Sequence, residues 1–276
     1  MSTIRIFIGS DDRQSLAAKV LEYSLHKHTA QKLSIQHLHN PSHEMPIHRE
    51  NWPRTGFSFA RFLIPQLCEY KGRAIYLDAD MLVFSDIREL WDWSLHGKGL
   101  VCARARHTPS GWDSRSGFIH GAQMSVLVMD CAKVRWDIQT IIGDLNEKKI
   151  SYDNLMSRPY GLDATEWEAG LPFEWNSLES FSLGMTKLLH YTVGHHQPWL
   201  YPHHPLRAIW LNHLRECLQT GFLDKAWLKK LILRGLAHPY LWSMTQNFSY
   251  DILPLHMGYY WSRLQYKIGS DKRVKI

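Results

Sequence analysis

Short apolar runs alternate with amphipathic stretches along most of the chain, and the first of them lies at the N-terminus. Residues 4–8 form an apolar run that ends at Gly9, which predicts a strand. Residues 10–12 supply N-cap side chains, and apolar positions then recur at helical spacing up to about Lys27. A second strand is predicted over residues 33–38. The chain therefore begins with a strand–helix–strand unit.

The same alternation continues through the middle of the chain. Residues 57–70 predict a helix that Pro65 interrupts or kinks, and Asp86 with Glu89 predicts a capping box that opens a short helix through Trp93. Because strands alternate with helices, the predicted fold class is an α/β sheet. The other predicted strands are residues 74–77, 81–84, 100–103, 124–129 and 188–191, a helix is predicted over 134–148, and 151–168 are predicted to be irregular.

The last part of the chain has a different pattern. From about position 205 onward the apolar spacing is helical, over residues 209–220 and 225–236, and an aromatic segment follows. This change predicts a main domain over residues 1–204 and a helical extension over residues 205–276. The extension is basic through Lys225, Lys229, Lys230, Arg234, Lys267, Lys272, Arg273 and Lys275, and aromatic through Tyr259, Tyr260 and Trp261.

Composition adds a positive charge to this picture. The 276 residues are 45% hydrophobic, enough for one large domain with an appendage, and the formal net charge is +6. A positive balance favours anionic partners such as nucleotide phosphates, phospholipid surfaces or nucleic acid. A solvated helix face and a loose tail explain the same charge without any partner.

Cysteine usage and the N-terminus bear on the compartment. The four cysteines are widely spaced and form no C-x-x-C pair, so neither a zinc ribbon nor a disulfide framework is indicated. The N-terminus has no signal-peptide hydrophobic region, and no apolar run reaches the ~18 residues of a membrane span. We expect a protein of the reducing cytoplasm.

Two acids interrupt the apolar stretch of residues 73–86. Asp78 and Asp80 stand at the end of a predicted strand, separated by Ala79. Residues two apart in an extended chain point to one face, so both carboxylates can address one site while Ala79 points away. A buried lone carboxylate is costly without a compensating cation, and oxygen ligands suit Mg²⁺ or Mn²⁺. The pattern predicts a divalent-metal site for phosphate chemistry; the alternative is a turn in which Asp80 is solvated.

A third metal ligand is expected from a distant part of the chain. His190 ends a predicted strand, and a neutral imidazole there is a good ligand for Mn²⁺. The chain has 17 histidines, and a satisfied polar residue is the commoner role for any one of them. A zinc site built from His195, His196, His203 and His204 is the alternative, although adjacent pairs in a proline-rich loop do not match the helical H-x-x-x-H spacing.

Two other positions suit a nucleotide. The turn at residues 9–12 opens the first helix, whose N-terminus attracts phosphate, but Asp11 and Asp12 repel it and suit base or ribose hydroxyl contacts better. Plain N-capping explains Asp12 equally well. Arg61, before the acidic strand, can neutralise a diphosphate, and a surface salt bridge is its alternative.

Residues 58–91, SFARFLIPQLCEYKGRAIYLDADMLVFSDIRELW, resemble the core of glycosyltransferase family 8. That family has a helix with an arginine and an IPxL ending, a YLDADxLV strand and a DIxELW helix, and this sequence is similar to all three. Weaker matches follow in order: the opening strand and turn, a central strand at 124–130, an LPxxWN segment at 171–176 and an HxxGxxKPW-like segment at 190–199. The sequence most resembles a bacterial subgroup with WN and LLHYT-G signatures.

The resemblance implies a GT-A fold, which is Rossmann-like with a central mixed, mostly parallel sheet, here with a C-terminal helical extension. It also implies metal-dependent transfer of a hexose, with retention, from a nucleotide sugar, by default UDP-hexose, with Mn²⁺ or Mg²⁺. Carried over to this sequence, the metal ligands are Asp78, Asp80 and His190, the nucleotide-sugar and cofactor contacts are Ile8, Gly9, Ser10, Asp11, Arg61, Asp78, Ala79, Asp80, Gly194 and Gln197, and the catalytic candidates are Asp163, Glu166 and Gln123.

The chain departs from the family pattern around the donor. Gln197 stands where the family has a lysine near the diphosphate, and His195 or His196 is the expected substitute for that cation. Gln123 stands where the family has an asparagine before the central strand. The family's acidic DQ segment, which faces the donor sugar, has no clean match; Asp163, Glu166 and Glu168 lie in its region.

The acceptor and the competing functions follow from the rest of the chain. The basic extension predicts peripheral contact with the cytoplasmic face of a membrane and a lipid-linked or membrane-surface glycan acceptor, such as lipopolysaccharide core. Residues 108–121 are expected to close over the donor as a loop. One alternative is a phosphohydrolase of the haloacid dehalogenase type. That type has Thr or Val after the D-x-D, and this chain has Met81 there, which counts against the alternative. The other is a non-catalytic basic protein that binds membrane or nucleic acid, although no nucleic-acid motif is found.

Overall fold

A six-stranded sheet forms the centre of the molecule. The computed structural model describes residues 3–40, 45–104, 122–243, 257 and 259–263 of the chain. The strands of this part are β1 (Ile4–Gly9), β2 (Leu33–Leu38), β3 (Arg73–Asp78), β4 (Met81–Val83), β5 (Leu100–Arg104), β6 (Ala122–Asp130), β7 (Trp167–Leu171), β8 (Ser177–Leu178) and β9 (Leu188–His190).

The central sheet is mixed and mostly parallel, as predicted. Its strand order is β2-β1-β3-β6-β5-β7. β1 pairs in parallel with β2 and β3, and β5 pairs in parallel with β7. β6 runs antiparallel to both of its neighbours, β3 and β5, so it alone opposes the common direction of the sheet.

A second, three-stranded sheet starts where β3 ends. β4 follows β3 after two residues and leaves the central sheet to pair antiparallel with β9, while β8 pairs in parallel with β9. In this register Met81 lies opposite His190. The small sheet therefore carries the predicted histidine ligand to the end of the acidic strand.

Side chains that alternate along the strands fill two cores. Phe7 and Tyr76 face one side of the sheet, in a cluster that includes the buried Trp136. Their neighbours Ile6 and Ile75 face the other side, in a cluster that includes residues of the first helix. Burial on both faces explains why the central strands read as continuous apolar runs.

The helices cover these cores. They are α1 (Ser15–His28), α2 (Ile64–Leu67), α3 (Arg88–Trp91), α4 (Ile138–Asn146), α5 (Tyr152–Ser157), α6 (Arg207–Gln219), α7 (Lys225–Leu233) and α8 (Tyr240–Ser243). In the part of the chain that the structure describes, every helix falls short of the length and apolar character that a bilayer crossing requires.

A third core joins the N-terminal helix to the C-terminal helices. Leu16 and Val20 of α1 pack with Trp199, Trp210 and Leu214. The boundary at position 204 stays a prediction, and residues on both sides of it share this core.

The predicted helix over residues 57–70 is wrong in its extent. The backbone forms a 3₁₀ turn over Ala60–Leu63 and becomes α-helical only from Ile64. Pro65 lies in the first turn of α2, where its missing N–H is not needed, so it begins the helix rather than kinking it. Glu69 and Tyr70 then take positive φ angles of 52° and 54°, which ends the helix.

Side-chain caps explain the other differences in helix length. The predicted helix 134–148 begins only at Ile138 because Asp137 accepts a hydrogen bond from the Thr140 N–H at 2.9 Å. Residues 151–168, predicted to be irregular, contain α5, which Ser151 caps, and the first residues of β7. The predicted loop 108–121 lies outside the described residues.

Candidate active site

The three predicted metal ligands lie together. Asp78 ends β3, Asp80 lies in the bend between β3 and β4, and His190 ends β9. One ligand atom from each of the three lies within 4.8 Å of the other two. The site forms because one strand of the central sheet and one strand of the small sheet end at the same point.

The two carboxylate oxygens of Asp80 have different surroundings. Oδ2 accepts a hydrogen bond of 2.7 Å from Gln197 Nε2. Oδ1 is buried and accepts no hydrogen bond from any residue that the structure describes, and it lies 3.1 Å from His190 Nε2. A buried carboxylate oxygen without a donor is costly unless a cation compensates it.

Asn176 fixes the orientation of the His190 ring. Its side-chain oxygen lies 2.9 Å from His190 Nδ1, and its amide nitrogen donates to Ser125 Oγ at 3.4 Å. Since an amide oxygen can only accept, Nδ1 carries the proton and Nε2 faces Asp80. Burial lowers the pKa of His190, but the charges of Asp80 and Asp78 outweigh it and raise the pKa above its ordinary value.

This arrangement fits a divalent cation. An ion in this space would be held by Asp78, by Asp80 Oδ1, which has no hydrogen-bond donor among the described residues, and by His190 Nε2 once that ring is neutral, as metal binding requires. The spacing of the ligand atoms suits bonds of ~2.0–2.6 Å to a central ion. Carboxylate oxygens with one imidazole suit Mn²⁺ or Mg²⁺ better than the softer metals.

Arg61 is buried beside Asp78 rather than exposed. Its side chain lies 3.4 Å from Asp78 Oδ1 through Nη2, and Nη1 donates to the Met124 carbonyl oxygen. Tyr76 also donates to Asp78 Oδ1, at 2.6 Å. Burial raises the pKa of Asp78, and the Arg61 guanidinium opposes that rise. The alternative of a surface salt bridge is therefore wrong for Arg61, which is 5% exposed.

The predicted nucleotide turn lies against the acidic strand. The Ala79 N–H donates to the Gly9 carbonyl oxygen at 3.0 Å, and Ile8 and Ser10 are buried on either side of this glycine. A Cβ at Gly9 would lie 2.2 Å from the Tyr76 hydroxyl oxygen. Only glycine fits here, because any side chain would displace the tyrosine that bonds Asp78.

Asp11, and not Asp12, organises the turn. Asp11 Oδ1 accepts from the backbone N–H groups of Arg13 and Gln14, and Oδ2 accepts from Gly56 N–H at 3.0 Å. The prediction that Asp12 caps the helix is wrong, since its carboxylate pairs with Arg234 at 2.9 Å instead. The turn is thus held to the loop that contains Gly56.

A cavity of about 1080 Å³ opens beside the metal-ligand cluster. Its wall includes Asp11 and Gly56 from the N-terminal part of the chain and Gly194 and Gln197 from the loop after β9. Gln197 also donates to Asp80, and this contact connects the cavity wall to one of the three predicted metal ligands, none of which lines the cavity itself. Four of the predicted nucleotide-sugar contacts, Asp11, Gly194, Gln197 and Asp80, therefore meet in one region.

Gln197, which is uncharged, connects three parts of the chain in this region. It is buried, and its side-chain oxygen accepts from Gln14 Nε2 at 3.0 Å while its nitrogen donates to Asp80 and to the Tyr191 carbonyl oxygen. It therefore joins α1 to the acidic strand without carrying a charge. His195, one of the two expected substitutes for a lysine, lines the same cavity.

The four-histidine zinc site does not form. His204 bonds Glu179 at 3.0 Å, and the ring of His203 packs against Tyr201 with centroids 5.5 Å apart. Among the described residues, which include all four histidines, the metal-competent grouping is the one at His190.

Two of the three catalytic candidates are neighbours, and the third lies on another strand. Asp163 and Glu166 are exposed in the turn before β7, where Glu166 Oε2 accepts from Asp163 N–H at 2.8 Å. Gln123 is near the start of β6, opposite Ala103 of β5. Their catalytic roles stay predictions.

Two residues with direct contacts to the ligands were not predicted. Asn176 belongs to the LPxxWN segment, but nothing local in that segment indicates a bond to a histidine. Tyr76 precedes Asp78 by two residues in a strand, and residues two apart in a strand point to the same face. The rule that places Asp78 and Asp80 on one face therefore also predicts that Tyr76 lies beside Asp78.

Comparisons with known proteins bear on the family. Residues 7–122 match the sequence model of glycosyl transferase family 8. Protein CDI of Arabidopsis thaliana is 27% identical over 240 residues, which cover 77% of this chain and 86% of that protein.

Two solved structures share the fold. The glycosyltransferase GlyE of Streptococcus pneumoniae aligns with a TM-score of 0.52 and 16% identity over 80% of this chain and 64% of its own, so this chain spans less than two thirds of GlyE. The galactosyltransferase LgtC, solved with donor and acceptor sugar analogues, aligns with a TM-score of 0.51 and 16% identity over 83% of this chain and 100% of its own.

These matches bear on the competing functions as well as on the fold. The family match includes Asp78, Asp80 and the turn at residues 9–12, and the two solved glycosyltransferases share the fold of this chain. Neither the phosphohydrolase nor the non-catalytic alternative has comparable support. The chain is therefore similar to glycosyl transferase family 8 over residues 7–122 and shares its fold with the glycosyltransferases GlyE and LgtC.

Proposed function

We propose that the protein transfers a hexose from UDP-hexose to a glycan or a lipid-linked glycan, with retention and with Mn²⁺ or Mg²⁺ bound by Asp78, Asp80 and His190. The observation that carries this proposal is the cluster of these three residues beside a cavity large enough for a nucleotide sugar. The nucleotide-sugar donor and the metal are thereby assigned to adjoining parts of one site.

The cavity offers polar groups that suit the nucleoside. Asp11 and Asn40 both line it, and Asp11 is held by three backbone N–H groups. A fixed carboxylate is suited to accept hydrogen bonds from ribose hydroxyls or a base N–H. Gln197 lines the same cavity and donates to Asp80 Oδ2, so a diphosphate bound against Gln197 would lie close to Asp80.

The bound cation would supply Lewis-acid stabilisation of the charge that develops on the leaving diphosphate. Asp78 and Asp80 would hold it, and Asn176 would keep His190 Nε2 directed at it. Arg61 balances the buried charge of Asp78 and so lets that carboxylate stay ionised. For retention, we infer front-side attack in which the leaving phosphate accepts the acceptor's proton, because no side chain at the cluster is placed as a nucleophile by the described contacts.

A nucleotide screen tests this proposal. UDP should bind only when Mn²⁺ or Mg²⁺ is present, and among a panel of nucleotide sugars one UDP-hexose should be hydrolysed slowly in a metal-dependent way. UDP binding that is the same with and without metal would contradict the site, and turnover of a different nucleotide's sugar would correct the donor. Analysis of the product anomer with a sugar acceptor decides between retention and inversion.

The acceptor and the location belong to the same proposal. The exposed lysines of α7 and the exposed aromatic residues Tyr260 and Trp261 suit an acceptor presented at an anionic membrane surface, such as lipopolysaccharide core. We place the enzyme at the cytoplasmic face of that membrane and treat residues 205–276 as the extension that makes the contact.

A further inference from the structure

One wall of the cavity comes from the C-terminal part of the chain. The family match ends at residue 122, but the cavity is also lined by residues far beyond it. They come from the end of α7 and from the short helical segment 259–263. These residues are Arg234, Gly235, Leu236, Tyr260, Ser262 and Arg263.

The two parts of this wall are packed directly against each other. Ser262 Oγ donates to the Leu233 carbonyl oxygen at 2.6 Å, which satisfies one of the open carbonyl groups at the end of α7. A Cβ at Gly235 would lie 3.2 Å from Ser262 Cβ and 3.4 Å from Arg263 Cγ. The close approach at Gly235 therefore lets segment 259–263 reach the cavity.

This wall adds positive charge to a cavity that Arg13, Arg54 and His195 also line. Arg234 and Arg263 both line it, and Arg234 is held in place by its 2.9 Å contact with Asp12. Arg54 is paired in the same way with Asp153. Gln197, nearest the metal ligands, is neutral. A diphosphate bound here needs charge-assisted donors besides the metal, and guanidinium groups supply them in a bidentate geometry.

We propose that Arg263, with Arg234, binds the diphosphate of the nucleotide-sugar donor, so that the C-terminal segment completes the donor site. This rests on the proposed function, because it assigns residues to the same donor. It gives a chain with glutamine at position 197 a source of positive charge for a diphosphate: Arg234, the C-cap residue of α7, and Arg263 of segment 259–263.

The test compares UDP with uridine, which lacks the phosphates. With Mn²⁺ present, Arg263→Ala should weaken UDP binding by roughly tenfold or more and leave uridine binding unchanged, since charge-assisted hydrogen bonds are lost only with the phosphates. Arg263→Lys should recover part of the affinity, and an Arg234→Ala, Arg263→Ala double variant should lose more. Arg88→Ala is the control, because Arg88 is exposed, pairs with Asp92 and does not line the cavity.

Each outcome separates this inference from the proposed function. If wild-type protein does not bind UDP with Mn²⁺, the proposed function fails and this inference fails with it. If wild type binds UDP and Arg263→Ala binds it equally well, only the inference is overturned. Equal losses for UDP and uridine would make Arg263 a packing residue. A change confined to the KM of a phosphate-bearing acceptor, with UDP binding intact, would assign the wall to the acceptor and also overturn it.

Discussion

At the scale of single residues, Asp80 has the most constrained contacts in the site. One of its oxygens is committed to Gln197 and the other faces His190 without a donor. Oδ2 is therefore occupied by its hydrogen bond with Gln197, whereas Oδ1 is available to a cation. The same residue therefore links the cavity to the metal ligands.

Asp80→Asn should abolish metal-dependent turnover of the donor. The amide removes the negative charge and one of the two acceptor oxygens, so we expect UDP-hexose hydrolysis with Mn²⁺ to fall by at least ~100-fold, the scale on which loss of a metal ligand exceeds loss of a supporting contact. Asp92→Asn is the matched control, because Asp92 is exposed on the outside of the fold. Full activity in Asp80→Asn protein would sink the metal assignment.

Asn176→Ala should weaken Mn²⁺ binding through His190. The variant loses the acceptor that orients Nδ1, and partners of this kind typically contribute ~10–100-fold in metal affinity. Asn176→Asp keeps an acceptor oxygen and should retain much more of the affinity, which a simple packing defect would not predict. Titration of Mn²⁺ into each variant, with the exposed Asn212→Ala as control, measures this; equal affinity in Asn176→Ala and wild type would exclude the positioning role.

The sequence predicts the ligands better than it predicts their partners. Asp78 and Asp80 share a face because extended chain repeats every two residues, and that rule needs no knowledge of the fold. The bonds from Asp80 to Gln197 and from His190 to Asn176 are tertiary contacts, and the first joins residues 117 positions apart. Local periodicity carries no information on which distant side chains meet.

At the scale of elements, seven of the nine described strands were predicted closely, whereas β7, β8 and the helix ends were not. β1, β3, β5 and β6 are apolar runs because both of their faces are buried, and an apolar run has clear ends, but β7 is only half-buried and lacks such a run. Helix ends depend on caps: Trp136 is apolar and buried yet lies outside α4, because Asp137 caps the helix one residue later. Apolar spacing alone counts such a residue as helical.

Two glycines offer a test of how α7 meets segment 259–263. Gly221 and Gly235 both have positive φ, 73° and 71°, but a Cβ at Gly221 meets nothing within 4 Å. Alanine at either position should cost roughly 1–2 kcal/mol of stability from the left-handed backbone. Gly235→Ala should in addition weaken UDP binding, because the new methyl group pushes Ser262 and Arg263 away.

Melting temperatures and UDP titrations of the two variants measure these effects side by side. The two alanine variants share the backbone cost, so any difference in UDP affinity reports the packing at the cavity wall. Equal UDP affinity in both variants would mean that the position of segment 259–263 does not matter to the donor.

At the scale of the whole molecule, the sheet order is the part that the sequence could not predict. The α/β class follows from the alternation of strands and helices. The position of antiparallel β6 between β3 and β5 depends on which strands pair, and local sequence does not determine that. The shared core of α1 with α6 is likewise a long-range contact between two amphipathic faces. The apolar face of each helix predicts that the face is buried, but it does not predict which element covers it.

The charge of the molecule predicts salt-dependent membrane contact. α7 buries Leu228, Leu231 and Ile232 and turns Lys225, Lys229 and Lys230 to solvent. We expect the protein to cosediment with vesicles that contain anionic phospholipid at low salt and to be released as ionic strength rises, because the Debye length shrinks from ~30 Å at 0.01 M to ~8 Å at 0.15 M. Neutral phosphatidylcholine vesicles are the control, and no binding to anionic vesicles at low salt would remove the membrane proposal.

The short pairing of β4 with β9 has a consequence for folding. His190 can reach Asp78 and Asp80 only after the long stretch of chain between β4 and β9 has folded and its last strand has docked beside β4. Closing so long a loop is entropically unfavourable, so we expect the ligand set to assemble late in folding. A metal that binds only the assembled set stabilises the folded chain by mass action, about 2.7 kcal/mol at a hundredfold excess over its Kd. The ion would thus hold the ends of the two sheets together. The concentration of divalent metal would then affect the stability of the folded protein as well as its activity.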